Sequence, residues 1–191
     1  AWVPRVGNDL AAAPVLLELG IHLCDAGWWS LLGLEPVMDV ISNTVEGSAQ
    51  TALEAALPVL AVSRPRFAEA EEALVQARVA RKQLDGLALS PRLAEWVARL
   101  DRYLPVLEAA AQLAQVAPDL LGQARPVTYL ILAQNNHELR ATGGFISGVG
   151  VIQLSKGKII TTTFQDSYQV DAGCELRAYP PPPAPLREYM W

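Results

Sequence analysis

The stretch SRPRFAEAEEALVQARVARKQLDGLALSP, residues 63–91, carries the signals that begin one helix, end it and begin the next. Ser63 and Pro65 predict a helix start, because a hydroxyl can cap free backbone N–H groups and proline in the first turn needs no N–H partner. Gly86 predicts the end of this helix. Ser90, followed by a proline, repeats the start signal. The connection of about five residues predicts that the two helices pack antiparallel.

Both helices of this predicted hairpin have an apolar face, since apolar residues recur at every third or fourth position. The first face holds Phe67, Ala70, Leu74, Ala77 and, at its end, Arg81; the second holds Leu93, Trp96, Val97, Leu100, Leu104 and Leu107. The second helix is predicted to reach about Ala117. At ~1.5 Å per residue the arms extend ~30 and ~40 Å. Pro105 predicts a kink in the second arm. The hairpin is either part of a packed bundle or an arm that binds a partner.

The residues before the hairpin are also predicted to be helical. A first helix is expected from Asn8 to about Leu32, with Asn8 as its cap, or two helices in its place because Gly20 and Gly27 weaken it. A second helix begins after Pro36 and reaches Val62, either without interruption or with a new start near Ser48. The prediction is therefore a helical bundle that contains a long antiparallel hairpin.

The sequence also suggests where the histidine, tryptophan and cysteine side chains of the helical part lie. His22, Trp28 and Trp29 are expected to pack in the core, with contact to a membrane surface as the alternative for the two tryptophans. Cys24 and Cys174 are expected to be separate buried thiols, with a disulfide as the alternative. No run of about 18 uncharged apolar residues occurs, so no membrane span is predicted within the sequence.

The chain has 191 residues, of which 51% are apolar and 18% charged, and its net charge is -5. This composition excludes a disordered chain and a disulfide scaffold, and the acidic charge excludes an ordinary nucleic-acid binder. Residues 1–122 hold 9 basic and 15 acidic residues, a balance of -6, whereas residues 123–191 hold 6 and 5, a balance of +1. The overall charge therefore does not argue against an anionic ligand in the second part.

Residues 123–191 change from helix-forming residues to β-branched residues and glycines, which suit a pleated sheet. Three strands are predicted, over Val127–Ala133, Phe145–Leu154 and Ile159–Gln165, the first buried and the last two joined as a hairpin. The predicted fold class is α+β. A helical bundle over residues 1–122 precedes an incomplete α/β domain with at least three strands over residues 123–191.

A polar turn, QNNHELRATGG over residues 134–144, separates the first two predicted strands. Asparagine tolerates left-handed turns, and paired glycines let the backbone approach a ligand closely. Ligands of α/β folds bind where strands end. The candidate ligand-binding residues are therefore Asn135, Asn136, Glu138, Arg140, Gly143, Gly144 and, after the third strand, Asp166. The alternative is that Glu138 and Arg140 form a local ion pair while the others shape the turn.

The residues themselves predict neither a catalytic group nor a metal site. The sequence has no nucleophile-elbow pattern and no phosphate-binding loop. His137 has no second histidine or cysteine pair at metal-binding spacing. The proline run over residues 180–183 is expected to be a rigid connector, or else a ligand for a partner.

The segments YLILAQNN, residues 129–136, and ELRATGGFI, residues 138–146, resemble a bacterial family catalogued as domain of unknown function four-zero-one-two. The resemblance extends to Asp166 with the two residues after it, to the proline run and, more weakly, to the helices. Members of this family are typically anchored by one N-terminal transmembrane helix. The resemblance thus implies an extracytoplasmic, cell-envelope protein anchored to the cytoplasmic membrane by a segment before Ala1, with more of the domain after Trp191.

The order of strand, polar turn and strand is also similar in outline to the LytR-CpsA-Psr glycopolymer transferases, an analogy at the level of the fold. It implies that Arg140 binds phosphate and that Glu138 or Asp166 holds Mg²⁺. Two functions are expected. The favoured one is a structural or partner-binding module without a cofactor, whose partners are envelope proteins of a surface assembly. The alternative is a transferase acting on polyprenyl-pyrophosphate-linked glycopolymers with Mg²⁺.

Overall fold

The computed structural model of the protein describes residues 4–44, 49–138, 140, 143–172, 181 and 184–189. Four helices come first, then three strands, then two short helices. Their bounds are α1 Pro4–Asn43, α2 Ala49–Val62, α3 Arg64–Lys82, α4 Pro91–Leu120, β1 Val127–Asn135, β2 Phe145–Ser155, β3 Lys158–Asp166, α5 Ser167–Asp171 and α6 Ala184–Tyr189. The predicted α+β class is confirmed.

The first helix, α1, begins at Pro4, so the predicted cap at Asn8 is wrong. It also continues through Pro36, so the predicted break between Leu32 and Pro36 is wrong. Proline has no N–H to donate to the carbonyl four residues earlier, here that of Leu32. Arg66 of α3 donates from Nη1 to this carbonyl oxygen at 2.6 Å. The helix continues because a side chain of a neighbouring helix replaces the missing bond. The alternative start near Ser48 is close to the observed start of α2.

The predicted antiparallel hairpin is formed by α3 and α4, and charged side chains join its two arms. Arg81 donates from Nε and Nη2 to the two carboxylate oxygens of Asp101, each at 2.7 Å. Arg78 is paired with Glu108 in the same way, nearer the middle of the arms. Two parallel hydrogen bonds fix the relative position of the groups they join. Such bonds hold the register between the two helices.

The capping roles predicted for Ser63 and Ser90 are wrong, because neither hydroxyl makes a cap hydrogen bond. Ser63 has helical φ and ψ and is buried, whereas a capping residue normally has extended φ and ψ. The backbone N–H of Ser90 instead donates to Asp9 Oδ1 at 2.8 Å. The residue that caps α4 therefore comes from α1, 81 positions earlier in the chain. The second arm also extends past Pro105 and ends at Leu120.

The core lies among α1, α3 and α4 and is made largely of small side chains. On α1 the buried residues Ala12, Leu19, Ala26 and Gly33 are seven positions apart, the period of helices that wrap around each other. A Cβ atom at Gly33 would lie 2.8 Å from the ring of Phe67. Three of these four residues, Ala12, Ala26 and Gly33, are small and let α1 and α3 pack closely.

Three expectations about side chains of α1 are wrong. The His22 side chain is 26% exposed and lies 4.0 Å from Glu18, on the surface rather than in the core. Trp28 is exposed, whereas Trp29 is half-buried. Cys24 is a free, exposed thiol. Cys174 and most of the proline run lie outside the described residues. Trp28 and Cys24 lie on the side of α1 away from the seven-residue stripe that contacts α3, whereas His22 lies at the edge of this stripe.

The segment Asp9–Asn43 of α1 is long and apolar enough to cross a membrane by length and composition. No membrane span was predicted from the sequence because a run of about 18 apolar residues without any charge was required, whereas this criterion allows up to two charged residues. In its most apolar window, 17% of the residues are buried inside the structure. Core helices and signal sequences also meet this criterion.

The three predicted strands and the predicted hairpin of the last two are confirmed, and together they form an antiparallel sheet in the order β1-β2-β3. The two-residue turn between β2 and β3 has positive φ at Lys156 and Gly157, as a tight hairpin requires. The expectation that β1 is buried is wrong, because Leu130, Ile131 and Leu132 are exposed among the described residues. An apolar run alone does not say whether both faces of a strand are covered.

The β2–β3 turn attaches the sheet to the helices. The N–H groups of Lys156 and Gly157 donate to the carbonyl oxygens of Gly122 and Leu121 at 2.8 and 2.9 Å. Lys158 Nζ lies 2.8 Å from Glu54 of α2. Since a strand rises about 3.3 Å per residue, the opposite end of β2 lies about 30 Å further on. The turn between β1 and β2 is therefore presented far from helices α1 to α4.

Candidate functional site

The candidate turn after β1 is organised by the side chain of Asn135. Its Nδ2 donates to Glu138 Oε1 at 3.2 Å, and its Oδ1 accepts from the N–H of His137 at 3.1 Å. The N–H of Glu138 donates to the Asn135 carbonyl at 3.4 Å. A side chain that accepts from the backbone two residues later forms an Asx turn. Asn135 and Glu138 are thus brought together, and Asn136, between them, is exposed.

Both candidate glycines meet a backbone requirement of this turn. Gly143 has φ of +101°, a conformation that side chains disfavour. A Cβ atom on Gly144 would lie 2.7 Å from the carbonyl oxygen of Asn135. Gln134 Nε2 donates to the Gly144 carbonyl at 3.4 Å. The glycines therefore let the start of β2 lie against the end of β1. Leu139, Ala141 and Thr142 lie outside the described residues.

Arg140 and Asp166 lie at the same end of the sheet, and the aromatic residues Phe145 and Tyr168 link them. The guanidinium carbon of Arg140 lies 5.2 Å from the ring centroid of Phe145, within the range of a cation–π contact. Phe145 lies 5.9 Å from Tyr168, centroid to centroid. Asp166 caps α5 by accepting from the N–H of Tyr168 at 2.8 Å. A continuous row of contacts thus links Arg140, Phe145, Tyr168 and Asp166.

The seven candidates therefore form two groups at one end of the sheet. Arg140 and Asp166 belong to the aromatic row, and the other five belong to the turn built on Asn135. No ion pair joins Glu138 to Arg140, both of which are described, so the local ion pair considered from the sequence is not formed. No group of three or more histidine, cysteine, aspartate or glutamate side chains within the described ranges could hold a metal ion. Ligand binding at these residues stays a prediction.

The sequence reasoning missed the aromatic row and a second feature on β3. Phe164 lies directly across from Gly150 in the register. Cβ atoms on Gly148 and Gly150 would lie 2.7 and 2.8 Å from its ring. The ring therefore covers two glycines of the neighbouring strand. The signal available was two glycines spaced by two in β2, followed by an aromatic residue in the partner strand.

Apolar side chains are exposed on both faces of the sheet. The register places Leu130 and Leu132 on one face, opposite Val151 and Val149. It places Ile131 on the other face, in the same row as Gly150 and Phe164. Leu130 is 65% exposed and Phe164 63% exposed, so no described element covers either face.

The fold and the turn define a class of protein: a helical bundle that carries a small antiparallel sheet with an ordered polar turn at its far end. Residues 124–191 match the model of a family described as Protein of unknown function (DUF4012). This match confirms the family that the turn sequence resembles. It covers the sheet and the residues after it, whereas helices α1 to α4 lie outside it. No curated protein and no solved structure matches the chain.

Proposed function

We propose that the protein is a partner-binding module of the cell envelope, in which the helical bundle carries the sheet to a second protein of a surface assembly. The observation that supports this function is the exposure of Leu130, Leu132 and Phe164 on opposite faces of one sheet. Antiparallel sheets commonly leave one face in water, and that face is then polar. Apolar residues on both faces favour a sheet that is covered on both sides, and a protein partner would supply this cover.

The turn residues fit a scaffolding role better than a catalytic one. Asn135 and Glu138 bond to each other, and Asp166 is engaged as a helix cap. Side chains fixed in this way make the end of the sheet rigid, and a rigid surface loses less entropy when it binds. The location in the envelope and the anchor before Ala1 rest on the family resemblance.

The proposal is tested by photo-crosslinking in the cells that produce the protein. A photoreactive amino acid at Leu130 is compared with the same group at Val79, an exposed apolar residue of α3. We expect a crosslink to a second envelope protein from position 130 only. A charged substitution nearby, Leu132→Arg, should abolish it, whereas Val75→Arg on α3 should not. Crosslinks confined to the chain itself, equal yields from both positions, or recovery of the full gene product in the cytoplasm would each contradict the proposal.

The transferase remains the second candidate because Arg140 is exposed at the end of the sheet where Asp166 also lies. Under this alternative Arg140 binds the pyrophosphate of a polyprenyl-linked glycan, and Glu138 or Asp166 holds Mg²⁺. Thermal shift with a polyprenyl pyrophosphate and Mg²⁺ separates the two functions. Partner binding predicts the same small response for the protein and its Arg140→Ala variant. A large stabilisation that Arg140→Ala removes would instead support the transferase.

A further inference from the structure

Helix α1 has a second apolar stripe, about 200° around the helix from the stripe that contacts α3. We call it the outer stripe and define it by Leu10, Leu17, Ile21, Trp28, Leu31 and Met38, all exposed. Leu10, Leu17, Leu31 and Met38 are separated by multiples of seven residues, and the exposed Cys24 occupies the position midway between them. A seven-residue repeat keeps side chains on one side of a helix and is the pattern of a helix that packs against another helix.

The charges around the outer stripe favour a protein rather than a lipid surface. The residues beside it include Asp9, Glu18, Asp25, Glu35 and Asp39, and the sequence has no lysine or arginine from residue 6 to residue 63. Helices that lie on anionic membranes carry basic residues on the polar side. A membrane span is also disfavoured, since α1 packs along α3, whose surface is rich in exposed charged side chains. Apolar side chains of another helix are the occupant that fits.

We propose that the occupant is α1 of a second copy, packed antiparallel with the two-fold axis at Cys24. Leu17 and Leu31 each lie seven residues from Cys24, and Leu10 and Met38 each lie fourteen residues from it. In an antiparallel pair centred there, Leu17 of one copy meets Leu31 of the other, and Leu10 meets Met38. The stripe is thus complementary to itself, as a two-fold interface requires. This inference does not rest on the function proposed for the sheet.

The position of Glu35 selects the antiparallel orientation. Glu35 lies seven residues after Trp28, in the row of the outer stripe. A parallel pair would place the two Glu35 carboxylates against each other, and like charges at such a contact are destabilising. The antiparallel pair places Glu35 at the level of Ala13 of the other copy instead, and it brings Asp39 to the level of Asp9. Asp9, at the end of the stripe, is already engaged by the N–H of Ser90.

The size of the outer stripe sets the strength of the dimer. From residue 10 to residue 38 a helix extends about 42 Å, and at a width of about 12 Å the stripe covers about 500 Å². Two copies would bury about 1,000 Å², which is the lower limit for a specific interface. The dimer is therefore weak and concentration-dependent. Added salt should strengthen it, because the acidic residues beside the stripe repel one another and salt screens them.

Association is measured by sedimentation over a range of concentrations, with the whole 191-residue chain under reducing conditions. We expect dimers that dissociate on dilution. Leu17→Glu, in the stripe, should abolish them, and Leu113→Glu on α4 is the matched control because the two leucines are 68% and 58% exposed. Circular dichroism verifies that both variants are folded. A chain that stays monomeric at about 1 mM, or that dimerises equally with Leu17→Glu, overturns the proposal.

Disulfide crosslinking tests the orientation, with Cys174→Ser in every sample. Mild oxidation should link Cys24 of the two copies. Parallel packing would also bring these two thiols together, so two further variants are made with Cys24→Ala. Leu17→Cys alone should give little disulfide, whereas a mixture of Leu17→Cys with Leu31→Cys should give the mixed dimer, since Cα atoms must lie within about 7 Å. Efficient self-linking of Leu17→Cys would indicate parallel packing and overturn the antiparallel arrangement.

Discussion

At the scale of single residues, Arg66 takes the place of the backbone N–H that Pro36 lacks. Its bond to the Leu32 carbonyl is 2.6 Å long. We expect Arg66→Ala to lower the free energy of unfolding by about 1 kcal/mol, because the carbonyl loses its donor. In a Pro36→Ala background the N–H of residue 36 serves the carbonyl, so Arg66→Ala should cost little. Urea unfolding of the four chains gives this double-mutant cycle. If Arg66→Ala lowered the free energy of unfolding equally in the Pro36 and the Pro36→Ala backgrounds, the bond between Arg66 and the Leu32 carbonyl would not compensate for the proline.

Gly122 is the residue on which the attachment of the sheet depends. It has φ of +75°, and a Cβ atom there would lie 2.5 Å from the carbonyl oxygen of Leu154. We expect Gly122→Ala to destabilise the protein by about 1–3 kcal/mol, since the backbone must shift as well as hold a strained φ. Gly27→Ala is the control, because no atom lies within 4 Å of its added Cβ and alanine favours the helix. Thermal unfolding compares the two; similar losses would refute the argument.

The pKa of Asp119 depends on an ion pair between the start of α3 and the end of α4. Arg64 Nη2 lies 2.7 Å from Asp119 Oδ1. The hydrogen bond from Arg64 holds the pKa of Asp119 below its ordinary value, and the charges of Arg64 and Arg125 act in the same direction. The pair therefore stabilises the fold at neutral pH, and its contribution is lost as the pH falls through the lowered pKa. In an NMR titration, Arg64→Gln should raise the pKa of Asp119, whereas Arg99→Gln should not.

At the scale of elements, the sequence predicted the hairpin and the three strands because each has its own local signal. Helical periodicity, glycine turns and β-branched runs act over a few residues, so they can be read without knowing the fold. The continuity of α1 could not be predicted, since it depends on Arg66, 30 positions after Pro36. The cap of Ser90 by Asp9 is likewise a long-range contact. Local rules fail where a distant residue supplies the missing partner.

The candidate site shows the same division between local and distant contacts. The turn at Asn135 and the glycines after it were predicted because Asx turns and glycine conformations are local. The aromatic row through Phe145 and Tyr168 was missed, because one ring comes from β2 and the other from α5, and they meet only in the folded protein. The exposure of Leu130 was also missed, since the sequence cannot say what covers a strand.

Helix α2 is the element that packs against the β2–β3 turn. Leu57 is 1% exposed, and its Cδ1 would lie 2.7 Å from a Cβ atom on Gly157. We expect Leu57→Ala to cost about 2–5 kcal/mol, the range for removing a fully buried leucine. Leu113→Ala, at an exposed position of α4, should cost less than about 1 kcal/mol. Urea unfolding measures both. A small loss for Leu57→Ala would mean that α2 and the turn do not stabilise each other.

At the scale of the whole molecule, the core of the helical bundle does not depend on the sheet, whereas the sheet depends on the helices. The buried cluster centred on Leu19, Leu74 and Leu104 lies within α1, α3, α4 and the α3–α4 loop and includes no strand residue. The sheet is attached by its end, through Gly122, Leu57 and the Lys158–Glu54 pair. The helices therefore supply their own core, whereas the sheet takes part of its packing from the helices.

This asymmetry gives a test of the predicted boundary between residues 122 and 123. A chain of residues 1–122 keeps the whole buried cluster, so we expect helical circular dichroism and a cooperative urea transition. A chain of residues 123–191 loses its contacts with Leu121, Leu57 and Glu54, and its three strands leave apolar side chains on both faces in water. A domain this small buries too little apolar surface to be more than marginally stable, so without the helices this chain should show no cooperative transition. If the second chain folds alone, or the first does not, the sheet rather than the bundle holds the independent core.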